Sequence, residues 1–375
     1  MPSLLPNVDP DGLLEYSVVY SDRAINHMSQ VFQGVMRDIS RTLKQVYNAQ
    51  SAIIVPGSGS SGMEAVARQF ATGKKCLVIR NGWFSFRWTQ IFDAGGIASD
   101  TVVLKARPVE DRRQAPFAPP PIDEVVAAIK VGKPDLVFAP HVETASGILL
   151  PDDYLRQVAD AVHAHGGMFV LDCIASGTLW IDMQAAGVDV LISAPQKGWS
   201  GPACCALVML GAQARERIDA TTSTSFVLDL RKWLQIMETY EQGGFSYHAT
   251  LPTDALAALR DVMAETQSDG FDTVRARQQE LGDKVRALLL EKGFPSVAAE
   301  GYAAPGVVVS YTDDDGIHSA KKFTAAGVQA AAGVPLQCDE RDDFKTFRLG
   351  LFGLDKLRNI DRTVAHLAKA LGEIA

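Results

Sequence analysis

AIIVPGSGSSG (52–62) joins an apolar run to a glycine-rich segment, and a helical pattern follows through Phe70. The run AIIV (52–55) predicts a buried strand, and GSGSSG (57–62) predicts a tight turn into a helix. Glycines let a backbone approach a ligand closely, and the N-terminus of a helix offers free N–H groups to an anion. The segment therefore predicts a phosphate-binding loop, with a plain strand-to-helix turn as the alternative.

Short apolar runs alternate with helical stretches on both sides of this loop. A long amphipathic pattern, from about Asp22 to Tyr47, precedes the first strand. Six strand-like runs follow the loop: CLVIR (76–80), TVVLK (101–105), DLVFA (135–139), MFVLD (168–172), DVLISA (189–194) and CCALVML (204–210). Strands separated by helices form parallel sheets that are covered on both faces. The pattern predicts an α/β fold with a mainly parallel sheet.

Composition restricts the class of protein and the kind of partner. The chain has 375 residues, of which 47% are hydrophobic and 21% charged, as in ordinary folded proteins. A net charge of −8 disfavours nucleic acid or an anionic membrane as the main partner. No apolar run approaches the roughly 18–20 residues that span a bilayer, and the first residues lack the pattern of a signal peptide. The 5 cysteines are odd in number and lie mostly in apolar strands, which predicts reduced thiols in a cytoplasmic protein, and the lack of a CxxC pair and of HExxH predicts no zinc site.

A lysine and an aspartate lie where parallel strands end. Asp172 closes the run MFVLD, and Lys197 follows DVLISA within PQKGWSGP (195–202). Alone, such an aspartate is usually a helix cap and such a lysine is usually solvated. Together with a phosphate-binding loop at the same sheet edge, they match the needs of pyridoxal 5′-phosphate. The lysine would bind this cofactor covalently, the aspartate would keep its ring nitrogen protonated, and the loop would hold its phosphate.

A dinucleotide is the alternative ligand for the glycine loop, because GSGSSG also matches GxGxxG. A dehydrogenase of that type carries an acidic residue about twenty positions later, at the end of the next strand. Here that strand ends in Arg80 and Asn81, which could at best suit a 2′-phosphate. The long helix before the first strand also disfavours this class. An NADP-binding oxidoreductase stays as a weaker alternative.

Past Gly244 the pattern changes. Two long helical stretches (about 253–268 and 270–292) precede a strand VVVSY (307–311), a helix near 317–326, a strand KTFRLGL (345–351) and a final helix. This order indicates a smaller α+β domain. We therefore expect an N-terminal arm (1–20), a large cofactor-binding domain (21–250) and a small C-terminal domain (251–375).

The sequence resembles the class V aminotransferases of fold type I, in the alanine–glyoxylate and serine–pyruvate (serine–glyoxylate) branch. The resemblance covers roughly residues 25–375. Seven motifs occur in the family's order: GSGSSGMEA (57–65), RNGWFSFRW (80–88), HVETASGILLP (141–151), LDCIASGTLWIDM (171–183), SAPQKGWSGPA (193–203), SYHATLP (246–252) and FRLGLFG (347–353). The resemblance implies ping-pong transfer of an amino group from a small amino acid, alanine or serine, to glyoxylate or pyruvate.

The resemblance also implies a set of residues that hold the cofactor. The residues expected at its phosphate are Ser58, Gly59, Ser60 and Gln196, joined by Tyr247 and Thr250 from a neighbouring subunit, which implies a homodimer. Phe84 and Ile174 would cover the two faces of the ring, and Thr144 would bond near its phenolic oxygen. Asp172 would bond the ring nitrogen, and Lys197 would carry the cofactor.

The substrate contact implied by the resemblance is Arg348, which would bind the α-carboxylate with a bidentate fork. In a β-strand it could instead be a structural ion-pair partner. Phe84 lies among three other aromatic residues, so core packing is its alternative role. His141 is interpreted as a fixed hydrogen-bonding residue, because Lys197 can itself move the proton.

Two segments depart from the family's pattern, and both bear on the choice of substrate. LLPNVDPDGLLEYSVVYSDRAINHMS (4–29) lacks the usual GPGP-type segment, and AAAGVPLQCDERDDF (330–344) is poorer in glycine than in this branch. Cys338 in the second segment raises the alternative of a class V lyase or cysteine desulfurase. Its acidic neighbours would raise the thiol pKa, and Gln196 stands where desulfurases usually carry a histidine.

Overall fold

The strands of the computed structural model, which describes residues 13–374, agree closely with the apolar runs of the sequence. Every strand predicted above is present, and each end lies within one residue of its predicted position. The strands missed by the pattern are two residues long. In chain order the strands are β1 (Ser51–Pro56), β2 (Lys75–Arg80), β3 (Asp100–Lys105), β4 (Arg107–Pro108), β5 (Phe117–Ala118), β6 (Leu136–Pro140), β7 (Met168–Asp172), β8 (Val190–Ser193), β9 (Cys205–Leu210), β10 (Val307–Tyr311), β11 (Ala331–Ala332) and β12 (Thr346–Gly350).

The helices separate most of these strands. In chain order they are α1 (Gln30–Tyr47), α2 (Gly59–Val66), α3 (Trp83–Gly95), α4 (Ile122–Gly132), α5 (Asp152–His163), α6 (Met183–Ala186), α7 (Ala212–Ile218), α8 (Leu230–Glu241), α9 (Thr253–Asp269), α10 (Phe271–Glu291), α11 (Asp315–His318), α12 (Lys321–Ala325), α13 (Leu354–Arg358) and α14 (Ile360–Ile374). A π-helical turn, Ala67–Ala71, extends α2.

Two helix predictions were wrong in their bounds. The first helix begins at Gln30 and not at Asp22, because the Ser29 side chain caps it by accepting a hydrogen bond from the N–H of Phe32. The single helix expected near 317–326 is two short helices, since Ala320 between them has a left-handed φ of 61°. Residues 1–12 of the predicted N-terminal arm lie outside the described residues.

The central sheet has the strand order β1-β9-β8-β7-β6-β2-β3. Its neighbours from β8 to β3 are parallel, whereas β9 runs antiparallel to both β8 and β1. Two reversals restore the original direction, so β1 points the same way as β8. The carboxyl ends of β1, β2, β6, β7 and β8 therefore meet at one edge of the sheet, which is where α/β proteins place ligands.

A second, antiparallel sheet of order β10-β12-β11 follows in the last third of the chain. One apolar cluster runs from Phe32 to Ile374 and includes residues of both sheets, such as Val170 and Phe347. Helix α9 also packs against α1. The proposed division of the chain at residue 250 stays a prediction. Within residues 13–374, no helix is both long and apolar enough to cross a membrane.

Candidate active site

A cavity of about 230 Å³ lies at the sheet edge where the parallel strands end. The loops that follow β1, β6, β7 and β8 and the start of α3 supply its walls. The sequence-predicted residues that line it are Ser58, Gly59, Ser60, Phe84, Thr144, Asp172, Ile174, Gln196 and Lys197. The fold thus brings together residues that are as many as 139 positions apart in the sequence.

The glycine-rich segment forms one wall as the N-terminus of α2. Ser58 caps this helix: its side chain accepts from the N–H of Ser61 at 3.3 Å, and its own N–H donates to Ser61 Oγ at 3.2 Å. The amides of Gly59 and Ser60 sit in the first turn, where a helix has no carbonyl to offer them. A Cβ at position 59 would lie 2.6 Å from Ile174 Cδ1 and 3.0 Å from its Cγ1, so glycine lets the Ile174 side chain pack directly against the loop. The wall offers an anion two free amides and the positive end of a helix.

Asp172 is a buried carboxyl group on the cavity wall. Its Oδ1 accepts from the N–H of Ile174 at 2.9 Å. Burial raises the pKa of Asp172 to about 6, although that hydrogen bond and the charge of Lys197 act in the opposite direction. Within residues 13–374, its second oxygen has no hydrogen-bond donor. The carboxyl group is therefore suited to accept a bond from a cationic N–H in the cavity.

Lys197 brings a primary amine to the same cavity. Its Nζ lies 3.4 Å from Thr144 Oγ1 and 5.7 Å from the ring centroid of Phe84. Burial lowers the pKa of Lys197, whereas the carboxylates of Asp172 and Glu143 raise it. The next residue, Gly198, holds the loop in place, since a Cβ there would lie 1.9 Å from the carbonyl oxygen of Gly177. A desolvated amine of this kind suits both nucleophilic attack and proton transfer.

Phe84 faces the cavity from the first turn of α3. It is partly buried against an apolar cluster as well, whereas Trp88 is fully buried, with its ring centroid 4.5 Å from that of Phe138. Glu143 fixes the helix start: its carboxylate accepts from the N–H groups of Phe84 at 3.1 Å and Ser85 at 2.9 Å. It also accepts from the Ser85 hydroxyl at 2.6 Å. Glu143 was not among the site residues predicted from the sequence, although it adjoins Thr144.

Arg87 is a second lining residue that the sequence analysis did not identify. Its Nη1 donates to Ser60 Oγ at 3.0 Å, and its Cζ lies 4.7 Å from the ring centroid of Phe84. A signal for it exists in the sequence, because Phe84 and Arg87 stand at i and i+3 and so share one face of a helix.

Arg348 lies on β12, with its Cζ 5.6 Å from the ring centroid of Phe84. Its Nε donates to the carbonyl oxygen of Ala332 at 2.8 Å, which orients the guanidinium. In the described part of the chain, no carboxylate lies within 4.0 Å of it, so the alternative of a structural ion pair has no support. Burial lowers the pKa of Arg348, and the charge of Glu143 raises it.

Tyr247 and Thr250 are not among the residues that line the cavity. Their hydroxyls lie 3.2 Å apart, and Tyr247 is 52% exposed. The structure of one chain therefore does not bring them to the other predicted site residues. Their expected role at a neighbouring subunit's phosphate stays a prediction.

His141 and Cys338 are both buried and hydrogen-bonded. His141 Nδ1 lies 2.7 Å from Ser176 Oγ. Burial lowers the pKa of His141 to about 3, so the ring is neutral and acts as a fixed partner, as interpreted from the sequence. The thiol of Cys338 donates to the carbonyl oxygen of Arg80 at 3.4 Å, and burial raises its pKa. A buried, protonated thiol is a poor nucleophile.

Comparisons with known proteins match nearly the whole chain. A family model described as aminotransferase class-V matches residues 11–331. A curated protein named soluble hydrogenase, small subunit, from Synechococcus sp. is 26% identical over 93% of this chain and 88% of its own length. Alanine–glyoxylate aminotransferase from Oryctolagus cuniculus is 25% identical over 94% of this chain and 88% of its own length.

Comparison with a solved structure identifies a protein of similar fold. The alanine–glyoxylate aminotransferase of Nostoc sp. superimposes with a TM-score of 0.78 at 21% identity. The match covers 93% of this chain and 89% of that chain. At this identity the likeness shows a common fold for the two proteins.

Proposed function

This chain belongs to the class-V aminotransferase family and is a transaminase of fold type I, from which we propose that it uses pyridoxal 5′-phosphate to move an amino group from alanine or serine to glyoxylate or pyruvate. One observation carries the proposal. A lysine, a buried carboxyl group and a capped helix N-terminus line a single cavity of about 230 Å³. These are the groups that this cofactor requires of a protein.

The chemistry of the cavity fits the cofactor at each of its parts. The free amides of Gly59 and Ser60 suit a phosphate. Asp172 has a carboxyl oxygen that no donor of the described residues reaches, which suits a protonated ring nitrogen. Phe84 and Ile174 both line the cavity and offer apolar surfaces to a flat ring. Lys197 supplies the amine for covalent attachment.

The proposed roles follow from the positions of the chain's own groups. When bound, pyridoxal 5′-phosphate supplies an electron sink for the bonds at the Cα atom of the amino acid. The Nζ atom of Lys197 accepts the proton from that Cα atom in the first half-reaction. In the second half-reaction, it donates a proton to the Cα atom of the second substrate. Its lowered pKa favours the neutral amine that this step needs. Thr144, 3.4 Å away, holds the amine in place.

Arg348 would bind the α-carboxylate shared by the amino acid and the keto acid. Its Nε is engaged by Ala332, which leaves the two Nη groups for a bidentate contact. The same contact serves both half-reactions, in which an amino acid leaves as a keto acid and a second keto acid leaves as an amino acid. The preference for small substrates rests on the names of the relatives and is part of the proposal.

We also propose a cytoplasmic homodimer in which Tyr247 and Thr250 reach the partner's site. Two observations support the dimer. Tyr247 does not line the cavity of its own chain, and Phe226 and Phe245, which lie beside the rings of His248 and His27, are 74% and 48% exposed. The five cysteines are all free thiols, in keeping with a reducing compartment.

Transamination is better supported than desulfuration. A desulfurase requires a thiolate that can reach the substrate. Cys338 instead donates a hydrogen bond to the backbone and is 3% exposed. Nor does Arg80 suit a dinucleotide phosphate, because its guanidinium is buried against the ring of Phe86, 4.6 Å from the centroid.

A visible absorption spectrum of the purified chain tests the proposal. We expect a yellow band that alanine or serine bleaches and that glyoxylate or pyruvate then restores. The amino acid that bleaches the band identifies the donor. A band that no amino acid bleaches would contradict transamination of amino acids, and a protein that stays colourless with added cofactor would contradict the cofactor itself.

A further inference from the structure

We propose that Arg87 is a direct ligand of the cofactor phosphate and the cationic group of that subsite. The inference rests on the proposed function, since it assumes that the cavity holds pyridoxal 5′-phosphate. It adds a charged residue to a subsite whose other members in this chain (Ser58, Gly59, Ser60 and Gln196) are all neutral.

Two contacts hold Arg87 at the phosphate loop. Its Nη1 donates to the hydroxyl of Ser60 at 3.0 Å, and Ser60 belongs to the first turn of α2. Its Cζ lies 4.7 Å from the ring centroid of Phe84, at a distance typical of a cation–π contact. Both partners line the cavity, as does Arg87 itself. The guanidinium is therefore oriented toward the anion subsite before any ligand arrives.

The charge of Arg87 has no ion-pair partner among residues 13–374. In the part of the chain that the structure describes, no carboxylate lies within 4.0 Å of its guanidinium. Arg68, on the π-helical turn that extends α2, illustrates the contrast, because its Nη2 lies 2.7 Å from Glu64 Oε1. A guanidinium that lines a cavity and lacks a counter-ion is suited to an anionic ligand.

The phosphate needs such a charge. A phosphate monoester carries about −1.5 to −2 charges at pH 7, whereas a helix N-terminus supplies roughly +0.5. Lys197 is required for covalent attachment at the other end of the cofactor. Arg87 is the remaining cation among the lining residues, so it would supply most of the compensation.

The test compares two cofactor forms and three variants of the full chain. The variants are Arg87→Gln, Arg87→Lys and, as a control with the same loss of charge, Arg275→Gln. Arg275 is exposed on α10 and does not line this cavity. After removal of bound cofactor, each protein is titrated with pyridoxal 5′-phosphate and with pyridoxal, which lacks the phosphate, and the change in absorbance gives the two Kd values.

We expect Arg87→Gln to weaken the binding of pyridoxal 5′-phosphate by about 10- to 100-fold, the usual range for a charged hydrogen bond, and to leave pyridoxal unchanged. Arg87→Lys keeps the charge but not the fork, so it should recover part of the affinity. Arg275→Gln should match the unmodified chain for both compounds.

Two results would overturn the inference. Unchanged affinity for the phosphorylated form would show that Arg87 does not contact the phosphate. If Arg87→Gln and Arg87→Lys each lost as much affinity for pyridoxal as for pyridoxal 5′-phosphate, Arg87 would only support Phe84. If the unmodified chain binds neither compound, the proposed function fails instead, and the inference fails with it. Thermal unfolding of each cofactor-free variant checks that the fold is retained.

Discussion

Asp172 shows how one buried residue couples stability to pH. Because folding raises its pKa from 3.8 to about 6, the folded chain holds this proton more tightly than the unfolded chain does. Ionising Asp172 therefore lowers the free energy of unfolding, by about 3 kcal/mol above pH 6. We expect Asp172→Asn to stabilise the cofactor-free protein at pH 8 by roughly this amount and to suppress transamination.

Urea unfolding of the cofactor-free proteins between pH 4 and pH 8 measures this effect. The advantage of the variant should be small near pH 4, grow as the pH rises to about 6, and then stay constant. Asp342→Asn is the control, because Asp342 is exposed and does not line the cavity. An Asp172→Asn variant that is less stable than the parent at pH 8 would contradict the interpretation of Asp172 as a desolvated carboxyl group.

Lys197→Ala removes the amine to which we assign both attachment and proton transfer. We expect the rate of amino transfer to fall by at least about 1,000-fold, while non-covalent binding of pyridoxal 5′-phosphate persists. Stopped-time assays of keto-acid formation and an absorbance titration measure the two quantities. Lys74→Ala, at an exposed position, is the control. Substantial turnover by Lys197→Ala would overturn the assignment.

At the scale of elements, the start of α3 depends on a residue from another loop. Glu143 is fully buried, and its two oxygens accept from three backbone N–H groups and one hydroxyl. In Glu143→Gln an NH₂ group would face two of these donors. We expect a loss of about 3 kcal/mol in the free energy of unfolding and weaker cofactor binding, because Phe84 loses its support.

Denaturant unfolding and cofactor titration test the Glu143 prediction together. Glu300→Gln is the matched control, since Glu300 is exposed. If Glu143→Gln unfolds at the same denaturant concentration as the parent, the carboxylate of Glu143 does not stabilise the start of α3.

The sequence predicted elements better than it predicted contacts between them. The strands were found because each is a buried apolar run, and β6, β7 and β8 are buried at every position. The reversed direction of β9 left no trace in its composition, because a strand between two neighbours is equally apolar in either orientation. The start of α1 was misplaced because apolar residues before Ser29 continued the helical spacing.

In the candidate site, too, the positions of residues along their elements were predicted better than the contacts between distant residues. Asp172 and Lys197 could be predicted because both lie at strand ends, whose common edge is a property of parallel sheets. Phe84, Thr144 and Arg348 rested on resemblance to a family. Glu143 and Arg87 were missed because their roles come from partners 58 and 27 residues away in the sequence. Periodicity reports which face of an element is buried but not which distant residue meets it.

At the scale of the whole molecule, exposed apolar side chains predict a dimer. Phe226, Phe245 and Tyr247 are 74%, 48% and 52% exposed and lie beside the rings of His248 or His27, and exposed apolar groups of this kind commonly mark protein interfaces. We expect sedimentation at micromolar concentration to give twice the chain mass of 40.4 kDa. Phe226→Glu should shift the protein toward monomer by 10-fold or more in Kd and weaken cofactor binding, because the proposed contact of Tyr247 with the partner's site would be lost.

Val131→Glu provides the control for the dimer prediction. Val131 is 86% exposed on α4, a helix that packs against α5, so its replacement should leave the dimer intact. A parent protein that sediments as a monomer with full activity would contradict both the dimer and the shared site.

The pairing of β1 with β9 has a consequence for how the protein is made. Within the central sheet β1 is bonded to β9 alone, and Pro56 meets a residue that the ribosome adds roughly 150 positions later. Because synthesis adds about 5–20 residues per second, Ile53 and Ile54 stay without a partner strand for about 8–30 s. The nascent chain therefore carries an unpaired apolar strand that is a natural target for chaperones. Lys197, the last residue along the chain that lines the cavity, also precedes β9, so every residue that lines the cavity is synthesised before β1 can pair.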